Sequence, residues 1–79
     1  MGKLLCRCET VLRLSGPIPN PIEWKLISDE EFEKFSGMVD AEAVYLAAKS
    51  AFRCPTCGRL WVYWDGLDRQ PTCYAIERP

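Results

Sequence analysis

The sequence predicts an α+β domain: a small antiparallel sheet with a two-helix insertion between two cysteine pairs. Three observations carry this. Cys6-Arg7-Cys8 and Cys54-Pro55-Thr56-Cys57-Gly58 are two short loops that each present two thiols. Runs rich in strand formers flank both loops. Between them lie two segments with helix caps and apolar residues at helical spacing.

With 79 residues the chain is read as one domain, residues 1–79, with the helical insertion at about 22–53. A domain this short buries a limited share of its surface, so an added staple is expected. Hydrophobic residues make up 48%, which excludes a disordered chain. The net charge of -1 gives no general attraction to phosphate backbones. No apolar run reaches the length of a membrane span. The opening Met1-Gly2-Lys3-Leu4-Leu5 is broken by Cys6 and Arg7, which does not suit a signal peptide. A cytoplasmic location is therefore expected.

Taken in order, Lys3 to Leu14 reads as two short strands around the Cys6/Cys8 turn. Ser15 to Pro21 holds three prolines and reads as an extended loop. Ser28 with Glu31 three residues on is a capping box, with Ile27 and Phe32 placed for a hydrophobic staple. Asp29, Glu30 and Glu31 suit the positive end of that helix, and Gly37 would end it. Asp40 caps a second helix. Its apolar residues Ala41, Val44, Tyr45, Ala48, Ala51 and Phe52 follow a 3.6 period. Leu46 stands among Glu42, Lys49 and Arg53 on the other side. Arg59 to Trp64 is a β-prone strand, Asp65-Gly66 starts a turn, Pro71 closes it, and Thr72 to Glu77 returns as a second strand. Alternation puts Trp61 and Tyr63 on one face and Leu60, Val62 and Trp64 on the other. One set should pack under the helices with Tyr45, Phe32 and Phe52.

The charges divide unevenly. Residues 17–52 carry -4 and the remainder +3. The insertion is thus an acidic lobe on a mildly basic ribbon.

Five cysteines and no histidine limit the chemistry. Histidine-based catalysis and histidine-ligated zinc are excluded within this chain. Paired short spacings in a reducing compartment favour metal over disulfides. Four soft thiolates suit zinc or iron, so Cys6, Cys8, Cys54 and Cys57 are the expected ligands, and Zn2+ is the expected ion. Such a site is closed, with no position for a reacting water, so no enzyme is expected. Cys73, in the last strand, is left over as a buried side chain.

Cys-Pro-x-Cys-Gly followed by a strand resembles the second half-site of zinc ribbons and of rubredoxin. The first half-site departs from both, being Cys-x-Cys without a following glycine. The resemblance implies a metal-bound ribbon and assigns no task. From charge and size the expected role is a protein-binding module, an adaptor or an antitoxin- or immunity-like inhibitor that occludes a basic partner. Its expected contact residues are Glu30, Leu46, Trp61 and Tyr63. The alternative is nucleic-acid binding, with aromatics stacking on bases and Arg7, Arg13, Arg59 and Arg69 on phosphates. A rubredoxin-like electron carrier ranks below both.

Overall fold

The computed structural model describes residues 2–15 and 19–77. Two antiparallel sheets and two short helices make a mixed α+β fold. Strands β1 (Lys3–Leu5) and β2 (Val11–Arg13) form a hairpin with Leu4 opposite Leu12. A second sheet has the order β3 (Glu23–Leu26), β4 (Lys49–Arg53), β5 (Leu60–Tyr63), β6 (Thr72–Tyr74). Helices α1 (Asp29–Phe32) and α2 (Ala41–Ala47) lie between β3 and β4 in the chain.

The insertion at 22–53 is therefore less helical than its spacing predicts. Residues 23–26 and 49–53 are strands, and α2 stops at Ala47. Ala48 is extended, with φ -80° and ψ 153°, and leads straight into β4. Ala51 and Phe52 are thus sheet residues, both fully buried. The reason is pairing. Lys49 to Phe52 match Leu26 to Glu23 on one side, and Ser50 to Arg53 match Tyr63 to Leu60 on the other. A strand hydrogen-bonded on both edges outweighs one further turn of helix.

Register fixes the two faces of the larger sheet, since residues directly opposite in antiparallel strands share a face. Glu23, Lys25, Ser50, Phe52, Trp61, Tyr63 and Cys73 lie on one face. The Phe52 and Tyr63 rings meet edge-to-face at 5.8 Å, and Trp61 packs against buried Cys6, Leu12 and Cys54. What packs on Trp61 is thus the cysteine-bearing hairpin, not the helices. The other face holds Ala51 and Val62, both buried, with half-exposed Trp24, Trp64 and Tyr74 around them. Trp64 Nε1 donates to the Tyr74 hydroxyl at 2.9 Å, and that pair spans the Val62–Thr72 row.

Asn20 ties the hairpin to the sheet. Its amide donates to the Arg13 carbonyl at 3.0 Å, while its Oδ1 accepts from Ile22 N–H at 3.2 Å. The rest of the proline loop, residues 16–18, lies outside the described residues.

The helical lobe is lightly attached. Ser28 and Asp40 cap as expected, accepting from the N–H groups of Glu31 at 3.0 Å and Glu42 at 3.2 Å. The Glu31 carboxylate pairs with Lys34 at 3.1 Å instead of returning to Ser28. Phe32 is half exposed, and α1 ends there, five residues short of Gly37. Neither helix contains a buried residue. Lys25 is the joint. Its ammonium donates to Ser50 Oγ at 2.9 Å, lies 3.6 Å from the Glu23 carboxylate and sits 4.2 Å from the Tyr45 ring centroid.

The last hairpin turns as expected at Gly66, whose φ is +102°. Its return strand ends at Tyr74, before Glu77. No helix among the described residues is long and apolar enough to cross a membrane.

Candidate metal centre

The first half-site grows out of β1. Cys6 N–H donates to the Thr10 carbonyl at 2.9 Å, and Glu9 N–H donates to the Cys6 carbonyl at 2.8 Å. Glu9 has φ +74°, the left-handed step that closes a three-residue hairpin loop. This loop explains how Cys-x-Cys chelates without a glycine. Glu9 takes the strained position, and Cys8 is turned back beside Cys6.

The second half-site links β4 to β5. Cys54 N–H donates to the Arg59 carbonyl at 2.8 Å, and Gly58 N–H donates to the Cys54 carbonyl at 3.0 Å. Gly58 has φ +81°, and a Cβ there would meet Ile76 Cδ1 at 2.6 Å. Glycine is thus demanded by conformation, while the Ile76 methyl, on a half-exposed side chain, can move aside.

The four sulfurs converge. All lie within 4.8 Å of one another. Cys6–Cys57 and Cys8–Cys54 are each 3.5 Å apart, so every close contact joins one half-site to the other. A zinc–sulfur bond of about 2.3 Å implies a tetrahedral edge of about 3.8 Å, inside this range. All five cysteines are free thiols. Cys6 and Cys54 are buried, at 2% and 1% exposure, while Cys8 and Cys57 are half-buried.

The surroundings favour charge on sulfur. Burial pushes the Cys54 thiol up, but N–H groups of Cys57 and Thr56 and the Cys8 side chain outweigh it and bring it down to about 6. Burial likewise opposes ionisation of Cys6, yet the Cys8 N–H and the Trp61 indole hold it below the ordinary thiol value. Cys57 goes the other way. The Arg59 N–H lowers it, but burial and the neighbouring Cys6 and Cys8 raise it further. These opposite directions express like-charge crowding, which a dication at the centre relieves.

Trp61 supplies a second fit. Its buried indole Nε1–H has no hydrogen-bond partner within the chain. The ring packs against Cys6 and favours charge on its sulfur, as groups around a metal thiolate do. The Arg59 guanidinium lies near the Cys57 sulfur, and its own pKa is raised by that thiolate. Thr10 Oγ1 lies 3.1 Å from the Cys8 sulfur. The donor set thus fits a metal ion with four thiolates.

Of the residues expected at a partner surface, Leu46 is 72% exposed and Glu30 is exposed. Tyr63 is 4% exposed and belongs to the core. Trp61 is half-buried against the thiols and helps build the metal centre. Arg59, Thr10 and Asn20 escaped sequence reasoning as parts of the site. The available signal was the offset of two residues that separates Arg59 from Cys57 and Thr10 from Cys8. Cys73 stands across the strand pair from Trp61, half-buried and outside the four-sulfur cluster.

Residues 2–78 match the family model described as a domain of unknown function, DUF8617, and the chain belongs to that family. No curated protein and no solved structure matches it.

Proposed function

We propose that this DUF8617 member is a non-enzymatic, cytoplasmic protein-binding module, built as a zinc-ribbon-like sheet around one structural Zn2+. Cys6, Cys8, Cys54 and Cys57 hold the ion, and a reducing compartment keeps them as thiols. Zinc is preferred to iron as the default ion for a closed four-thiolate site.

The observation that carries the reading is the helical lobe. Residues 28–48 hold six acids and one lysine, a net -5. The same segment leaves Met38 fully exposed, Leu46 at 72% and Phe32 at about half. Helices that bury nothing contribute little to their own fold, and apolar side chains ringed by one sign of charge suit a partner of the opposite sign. The partner is accordingly a protein with a basic, apolar-centred surface, as an adaptor target or an inhibited toxin would present.

The test is a complex reconstituted from this chain and the protein that co-purifies with it. Leu46→Asp and Glu30→Lys should each weaken the complex about tenfold or more while zinc content is unchanged. Binding of the Glu30→Lys variant should also depend less steeply on salt. Wild-type affinity in both variants would overturn the lobe as the docking surface.

A further inference from the structure

A second surface lies at the other end of the sheet from the lobe. A cleft of about 370 Å³ opens between β3, the Cys54–Gly58 turn and the C-terminal segment. Pro21, Trp24, Arg53, Pro55, Thr56 and Ile76 line it. Its size is within the range of small-ligand sites. It offers one indole face, 56% exposed, one guanidinium and one hydroxyl, with no carboxylate in its lining.

The cleft continues along the open face of the sheet. Trp24 stands opposite fully buried Ala51, between Lys49 and Arg53 on β4. Beyond β4 come Trp64 and Tyr74, joined by their hydrogen bond. Register places no carboxylate among the strand residues of this face. Glu23 points to the opposite one. The strand residues of this face are therefore aromatic and cationic, and the lobe adds one carboxylate, Glu31, at the Lys49–Trp64 end only.

We propose that this face binds single-stranded nucleic acid. One base stacks on Trp24 in the cleft, Arg53 takes the backbone phosphate, and the next base lies on Tyr74, in the same cross-strand row as Arg53. Stacking on aromatic faces with cations alongside is how single strands are held without sequence readout. The acidic lobe does not prevent this. It joins the sheet at Leu26 and Lys49, and Arg53 is four residues further along β4, about 13 Å at strand rise. Charges separated beyond about 8 Å are largely screened at physiological salt. The Trp24–Arg53 cleft shares no lining residue with the lobe, so one chain holds a basic protein at one end and a strand at the other.

The experiment is a tryptophan-fluorescence titration of the zinc-loaded chain with thymidine and uridine octamers. Saturable quenching is expected with both, and log affinity should fall with log salt at a slope of about -0.7 for one phosphate contact. Trp24→Ala should weaken binding about tenfold. Because Trp24 covers Ala51, Arg53→Glu serves as a second variant at an exposed position, with the same expected loss and an unchanged circular dichroism spectrum. Leu46→Asp should bind octamers as wild type, which separates this site from the lobe. Absence of saturable quenching, wild-type binding by Arg53→Glu, or equal affinity for a mononucleotide would overturn the proposal.

Discussion

Glu9 and Gly58 set the two metal loops, and each holds a left-handed backbone. For a residue with a Cβ that conformation costs about 1–2 kcal/mol. Gly58→Ala should therefore lower stability by about that amount, since the half-exposed Ile76 side chain can move away from the added methyl. Glu9→Gly should be neutral or stabilising by up to about 1 kcal/mol, since relief of strain is offset by glycine's backbone entropy. Urea unfolding of the zinc-loaded variants checks both. The pH response is set nearby. Cys54 is held at about 6, so it is ionised at neutral pH and its deprotonation costs nothing there. Cys57 is raised above the ordinary thiol value, so it still gives up a proton to bind metal at pH 7. Apparent zinc affinity, measured by chelator competition, should therefore rise with pH across neutrality and fall more steeply below about 6, where Cys54 also protonates. An affinity that does not change with pH across this range would contradict these shifts. The glycine was readable in the sequence from its place after Cys57. Glu9 was not, because nothing in a lone Cys-x-Cys-Glu announces a left-handed glutamate.

Element by element, the sheet and the lobe differ in how they are held. Four strands share dense pairing, whereas the helices meet the sheet through Lys25 and Tyr45. Tyr45→Ala should raise amide exchange across residues 41–47 and leave β4 and β5 protected, because local opening follows local packing. Uniform loss of protection would mean that the lobe and sheet unfold as one. The same weak attachment explains where sequence reasoning succeeded. Ser28 and Asp40 announce helix starts because capping is a local interaction between neighbours. The helix ends and strand β4 were hidden. Ala48, Ala51 and Phe52 satisfy a helical period, and Ser50 and Phe52 equally satisfy a strand period. The choice was made by Glu23–Leu26 and Leu60–Tyr63, distant in the chain and invisible to a local window. Missing β4 also concealed β3, whose alternation of Glu23 and Lys25 with Trp24 and Leu26 makes sense only beside a partner.

For the molecule as a whole, metal and fold are one problem. Among the described residues seven hydrophobic side chains are buried, and two of them are the thiols of Cys6 and Cys54. A core of that size does not hold two sheets together unaided. Zinc binding in small modules contributes on the order of 10 kcal/mol, comparable to the whole stability of an ordinary domain. Cys57→Ser should therefore yield a chain without a cooperative thermal transition, and strong chelation should do the same to the wild type. The joining of distant half-sites was legible from cysteine chemistry alone, since no local signal is needed to pair soft ligands in a chain without histidine. The carrier of that joining, the Asn20 link and the hairpin packed on Trp61, required three dimensions.

X-ray absorption at the zinc edge of the purified chain tests the account most directly. It predicts one zinc per chain surrounded by four sulfurs at about 2.3 Å, with no oxygen or nitrogen neighbour. A mixed sulfur–oxygen shell, or a folded chain that carries no metal and keeps its melting transition under chelation, would contradict it.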